Sequence, residues 1–284
     1  MIAPSVFMLL ILAGDAALSE SAQASAQFAR RAVERAVPYI EQEGAGWWET
    51  HACITCHQMP IMFWSLDEAR SRGVTIDGEL LAGLRGKVVA RLDERLAAGK
   101  KPHLVTDDVP LLIQGLTAGP IDERTARVLG RSVDQFLRLQ RDDGSWIDPS
   151  LHWKEKKGGA EILDPYPPII ESDAVKTMWI VLAGERVKKE DPAWVHGRDR
   201  ALAWLKKAPP PDSHQERVLR LAIARPFGEP AEVEALSKRL LADQNEDGGW
   251  SQAPGLPSDA LATGQALFAL SSAPAATRTL EASG

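Results

Sequence analysis

A seven-residue motif of the form Q-x-x-D-G-x-W occurs twice in this 284-residue chain. The first copy runs from Gln140 to Trp146, and the second runs from Gln244 to Trp250. Each copy follows a stretch with helical periodicity and precedes another that opens on Ser-Asp, a natural helix N-cap. The glycine of each copy can adopt the left-handed turn that terminates a helix. Such internal repetition indicates a fold assembled from repeated helical units.

Apolar residues recur with helical spacing along the chain and predict about ten helices in about five hairpins. The second helix of each pair is the more apolar, as expected of an inner helix that is buried on most sides. Outer and inner helices that alternate in this way predict an all-α fold, an α/α toroid. The predicted pairs are 25–42 with 53–72, 78–98 with 107–118, 122–140 with 172–184, 193–207 with 214–225, and 231–244 with 258–271.

The segment 43–48, with the sequence E-G-A-G-W-W, reads as a third, degenerate copy of the motif. The helix predicted after it opens with C-I-T-C-H, from Cys53 to His57, the pattern by which haem c is attached. Two thiols at this spacing can each bond one vinyl group of the same macrocycle, and the histidine then presents its imidazole to the iron. Cys53 and Cys56 are therefore predicted to hold one covalent haem c, with His57 as the proximal iron ligand.

Two other interpretations of the C-x-x-C-H pattern are a bare redox dithiol and a zinc site. In a dithiol His57 would lower the pKa of a neighbouring thiol, but no βαβ pattern surrounds the motif. A zinc site requires two further ligands, of which His51 supplies at most one, and no second Cys or His follows at zinc-finger spacing. The chain has only two cysteines, and haem c is the preferred interpretation because it gives both cysteines and the following histidine a defined place.

Residues 1–24 resemble a secretory signal peptide. The apolar run 6–13 has the length of a signal h-region and is far shorter than the roughly 20 residues that span a bilayer. Ala22-Gln23-Ala24 provides an A-x-A cleavage site, and an uncleaved first helix is the alternative. These features predict one mature domain, residues 25–284, that is periplasmic or secreted in a bacterium and has no stable membrane span after signal removal. Covalent haem attachment takes place on the same side of the bacterial membrane.

The formal net charge of −6 gives no electrostatic footprint for nucleic acid, so no nucleic-acid partner is predicted.

The repeats resemble those of squalene–hopene cyclases and protein prenyltransferase β-subunits. The helix 258–271, which contains A-T-G-Q-A-L-F-A-L, strengthens the resemblance. More narrowly, the chain resembles short exported bacterial proteins that combine such repeats with one C-x-x-C-H motif. The resemblance implies that Trp146 and Trp250 pack back against their hairpins as structural staples.

The cyclase reaction of that family uses the middle acid of a D-x-D-D motif at the start of an inner helix. The corresponding stretch here is V-T-D-D, in which Asp107 matches the proton donor while Val105 replaces the first acid. We therefore interpret Asp107 as an N-cap, and the resemblance implies the fold without the cyclase chemistry.

The sixth iron ligand separates electron transfer from chemistry on a small molecule. In a toroid, the loops that join the first helix of each pair to the second emerge on one rim, and the loop 147–171 is long enough to form a lid. Four histidines fall in or beside these loops: His51, His103, His152 and His214. His103 and His152 are the preferred distal ligands, whereas His196 is expected on the opposite rim.

The sequence thus predicts an exported mono-haem c-type cytochrome that exchanges electrons with a periplasmic redox partner protein. One alternative is a haem oxidoreductase that acts on a small apolar molecule in the toroid cavity, which Trp64, Trp179 and Phe268 would line. Another alternative is a non-catalytic haem-bearing binding or sensor module.

Overall fold

The computed structural model describes residues 20–51, 53–54, 58–99, 103–147, 156–157, 160–161, 172–211 and 213–271. Within these ranges the protein is all-α, as predicted, with ten helices and one antiparallel pair of two-residue strands, β1 (Lys156–Lys157) and β2 (Ala160–Glu161). The helices are α1 (Glu20–His51), α2 (Gln58–Ser71), α3 (Gly78–Ala98), α4 (His103–Leu116), α5 (Glu123–Leu139), α6 (Asp173–Lys188), α7 (Pro192–Leu205), α8 (His214–Phe227), α9 (Pro230–Ala242) and α10 (Ala260–Ser271).

Each predicted helix overlaps an observed one, and helix α1 departs most from its prediction. It continues to His51, so the segment 43–48 is helical and its interpretation as a degenerate turn is wrong. The glycines there suggested a turn, but a Cβ added at Gly44 would overlap the side chain of Met62. Gly44 therefore allows α1 and α2 to approach closely. Helix α1 begins at Glu20, so the predicted cleavage site after Ala24 lies within its first two turns, while residues 1–19 lie outside the described ranges.

The helices form two rows that pack against each other. The even-numbered helices α2, α4, α6, α8 and α10 contact one another in chain order, and α1, α3, α5 and α7 do the same. The first and last even helices also meet, because the rings of Trp64 in α2 and Phe268 in α10 lie nearly perpendicular with centroids 4.8 Å apart. The even helices, which the apolar patterning predicted as the inner ones, thus form one row.

Helices α8 and α10 run in the same direction. His214 at the start of α8 contacts the carbonyl of Ala262 near the start of α10, and Arg225 near the end of α8 donates to the carbonyl of Ala269 near the end of α10. Arginines also bind carbonyls at the ends of α2 and α4, where Arg30 donates to Gly73 (2.8 Å) and Arg85 to Leu116 (2.9 Å). Positive charge at these helix ends complements the helix dipole and satisfies otherwise unpaired carbonyls.

The first Q-x-x-D-G-x-W copy connects α5 to α6. Gly144 has φ +94°, as the left-handed turn requires. The indole Nε1 of Trp146 donates to the carbonyl of Phe136 in α5 (2.8 Å), and the backbone N–H of Trp146 donates to the hydroxyl of Thr177 in α6 (3.2 Å). Trp146 is only 1% exposed, which confirms its predicted role as a staple between an outer and an inner helix.

The second copy repeats these contacts between α9 and α10. Gly248 has φ +84°, and Trp250 Nε1 donates to the carbonyl of Leu240 (2.8 Å) while its backbone N–H donates to Thr263 Oγ1 (3.0 Å). The two copies differ in the contacts of their first residue, which is glutamine in both. Gln140 Nε2 donates to the carbonyl of Gly197 in α7 (2.7 Å) and so joins the next hairpin, whereas Gln244 is exposed.

Candidate haem-attachment site

The C-x-x-C-H motif occupies the connection between α1 and α2. Cys53 is half-buried and Ile54 is fully buried immediately after α1, while Cys56 and His57 lie outside the described residues. Gln58, the next residue, begins α2. The structure therefore describes the entry to the motif and the helix that follows it, and the predicted attachment by both thiols stays a prediction.

Two buried polar atoms flank the motif without a hydrogen-bond partner in the described part of the chain. They are the indole Nε1 of Trp47 in α1 and the amide Oε1 of Gln58. An unpaired polar group costs about 1–3 kcal/mol when it is buried, so such atoms are expected where a bound group supplies the missing partner. Neither residue stands out in the sequence, because Trp47 falls in the segment 43–48 that predicts a turn and Gln58 belongs to no motif.

His51 is fixed by contacts within the last turn of α1. Its imidazole stacks on the indole of Trp47, with ring centroids 3.8 Å apart and planes 12° from parallel. Its Nδ1 lies 2.6 Å from the hydroxyl of Thr50. The exposed His51 therefore has a defined ring orientation two residues before Cys53.

Of the other predicted rim histidines, the structure describes the side chain of His214 only. His103 is the first residue of α4, but the structure describes only its backbone, and His152 lies outside the described residues. His214 is 3% exposed, and its Nε2 donates to the carbonyl of Ala262 (2.9 Å). His214 lies beside the loop between α7 and α8, as predicted, and its buried side chain packs between α8 and α10. His196 is exposed on α7.

The buried position of His214 predicts a pH-dependent stability. Burial lowers the pKa of its imidazole from the ordinary value of 6.5. The imidazole therefore takes up a proton at a higher pH in the unfolded chain than in the folded protein. The contribution of His214 to the stability of the fold is complete above pH 6.5 and is lost as the pH falls. We expect the free energy of unfolding to decrease below that pH, by at most about 1.4 kcal/mol per pH unit for this one proton.

Denaturant titrations at a series of pH values test this prediction. His214→Gln keeps a donor for the Ala262 carbonyl but cannot titrate, so it should flatten the dependence below neutral pH. His196→Gln, at an exposed position, should leave the dependence as it is in the unmodified protein. An unchanged dependence in His214→Gln would assign the effect to another group.

The predicted cavity residues differ in their burial. Trp64 and Phe268 are in contact, as described above. Trp179 is buried in α6, and its Nε1 has no hydrogen-bond partner among the described residues.

Asp107 lies inside α4, which begins at His103, so its interpretation as an N-cap is wrong. The structure describes only the backbone of Asp107.

Within the described ranges, no three His, Cys, Asp or Glu side chains come together in a group that could hold a metal ion. The helices there include none with the length and apolar character needed to cross a membrane. Comparison with protein-family models, with curated proteins and with solved structures gives no match for this chain.

Proposed function

We propose that this protein is an exported mono-haem c-type cytochrome that exchanges electrons with a periplasmic redox partner. The C-x-x-C-H motif immediately before α2 carries the proposal. The orphaned Nε1 of Trp47 beside the motif supports it, because a haem has carboxylate groups that accept hydrogen bonds from such a donor. The half-buried Cys53 is compatible with a thioether bond at the edge of the core.

We further propose that the two rows of helices close into an α/α toroid. Contacts between successive even helices and between successive odd helices support this arrangement, as does the meeting of Trp64 with Phe268. In this fold the motif precedes an inner helix, whose buried Met59 and Phe63 anchor it in the core.

The chain's own residues would hold and orient the cofactor. Cys53 and Cys56 would bond the macrocycle, and the imidazole of His57 would bind the iron. Haem bound in this way supplies one-electron redox chemistry. Ile54 is fully buried between the two cysteines and fixes this segment against the core, which limits the access of water. His103 and His152 remain the candidates for the distal ligand.

The test is haem staining of the exported protein after denaturing electrophoresis. A covalent haem stays with the polypeptide, and the joint substitution Cys53→Ala and Cys56→Ala should abolish the stain. His196→Ala, at an exposed position on α7, serves as the control that retains it. Unstained protein from cells that attach haem to other cytochromes would refute the proposal.

A haem oxidoreductase acting on a small apolar molecule is the second candidate, and the partly exposed aromatic pair Trp64 and Phe268 favours it. Optical spectra distinguish the two functions. An electron carrier with a distal histidine is low-spin and binds carbon monoxide poorly, and His103→Ala or His152→Ala would make it high-spin. A high-spin unmodified protein that binds carbon monoxide would support the oxidoreductase.

A further inference from the structure

The first and last inner helices leave an apolar surface open. Residues 109–116 of α4 and 174–181 of α6 are buried without exception. In contrast, Ile61 in α2 is 37% exposed and Leu267 in α10 is 53% exposed. Trp64 and Phe268, which touch each other, are partly exposed as well. We call these four residues, Ile61, Trp64, Leu267 and Phe268, the seam.

The seam residues of α2 lie in its first two turns, close to the haem motif. Ile61 and Trp64 are three positions apart and share one face of the helix, which begins at Gln58 directly after the motif. Trp64 is six residues beyond Gln58, which is about 9 Å along the helix axis. A macrocycle bonded just before α2 is therefore within reach of the seam.

The surface beside the seam on α10 is open. Gly264 is exposed one turn before Phe268, and a Cβ built there meets no heavy atom within 4 Å. Covering the exposed aromatic and aliphatic side chains of the seam with another apolar surface removes them from water, which is favourable in free energy.

We propose that the seam covers one apolar face of the haem held by Cys53 and Cys56. This inference rests on the proposed haem attachment and assigns the surface against which the macrocycle packs. Apolar cover keeps water from a haem, and the exclusion of water disfavours the more highly charged ferric state. Ile61 and Phe268 thereby raise the reduction potential of the haem iron.

The experiment measures the midpoint potential of the purified holoprotein with polar substitutions in the seam. Ile61→Ser and Phe268→Ser should each shift the potential to a lower value, and Trp64→Phe should change the circular dichroism of the main haem absorption band. Leu241→Ser is the matched control, because Leu241 is similarly exposed (51%) on the outer helix α9. It should leave both readouts unchanged.

The outcomes separate this inference from the proposed function. If the unmodified protein carries no haem, the proposed function fails first. If haem is attached but Ile61→Ser and Trp64→Phe leave the potential and the dichroism unchanged, another segment of the chain or solvent covers the seam, and this inference is overturned. Ile61 is exposed enough for its substitution to preserve folding, so the result does not depend on the stability of Phe268→Ser.

Discussion

Replacing Asp67 by alanine is expected to lower the free energy of unfolding by about 3–5 kcal/mol, because it leaves the largely buried guanidinium of Arg85 without its carboxylate. The side chain of Asp67 in α2 is fully buried and accepts hydrogen bonds from Arg85 in α3 and from Arg70 (2.5 Å). Arg85 also donates to the carbonyl of Leu116 at the end of α4. One carboxylate thus holds the guanidinium that joins three helices.

The neighbouring Glu68 provides a matched control for this prediction. Glu68 pairs with Arg72 at the surface, so Glu68→Ala should cost no more than about 1 kcal/mol. Chemical denaturation followed by far-ultraviolet circular dichroism measures both variants. If Asp67→Ala proves as stable as Glu68→Ala, the buried pair is not a stabilising junction.

Trp146→Ala should lower the free energy of unfolding by a similar amount, about 3–5 kcal/mol, because it opens a cavity in the main core and removes the staple between α5 and α6. Trp146→Phe fills most of the cavity but leaves the carbonyl of Phe136 without the indole donor, which should cost about 1–3 kcal/mol.

The second motif copy supplies the comparison for Trp146. Trp250 makes the same hydrogen bonds, but it belongs to a separate, smaller core that includes Leu240 and Ala266. Trp250→Ala should therefore open the last hairpin first, which amide hydrogen exchange would detect as faster exchange confined to α9 and α10. A loss below about 1 kcal/mol in Trp146→Ala would contradict the role of the motif as a staple.

Periodicity predicts the helices well here because apolar residues recur with helical spacing along most of the chain. It fails at 43–48, where glycine signals a turn by its conformational freedom but is used for its missing side chain against Met62. It also misplaces the start of α4, since the capping residues suggested Asp107 while the helix already begins at His103.

The candidate site was only partly predictable from the sequence. Attachment of haem c depends on residues that are close together in the sequence, so the spacing alone identifies Cys53, Cys56 and His57. Trp47 and Gln58 become visible only through burial, which depends on how α1 packs on α2. The pairing of Asp67 with Arg85 joins two different helices and leaves no periodic trace in the sequence.

The contact between Trp64 and Phe268 has a consequence for the order of folding. Most helix contacts in this protein join elements close together in the chain, and such contacts form early because little loop entropy opposes them. The meeting of α2 with α10 must wait until the hairpins between them have formed. We therefore expect the contact between α2 and α10 to form last and to open first. In the proposed cytochrome, a haem bonded just before α2 would be able to enter at this contact while the other helices stay folded.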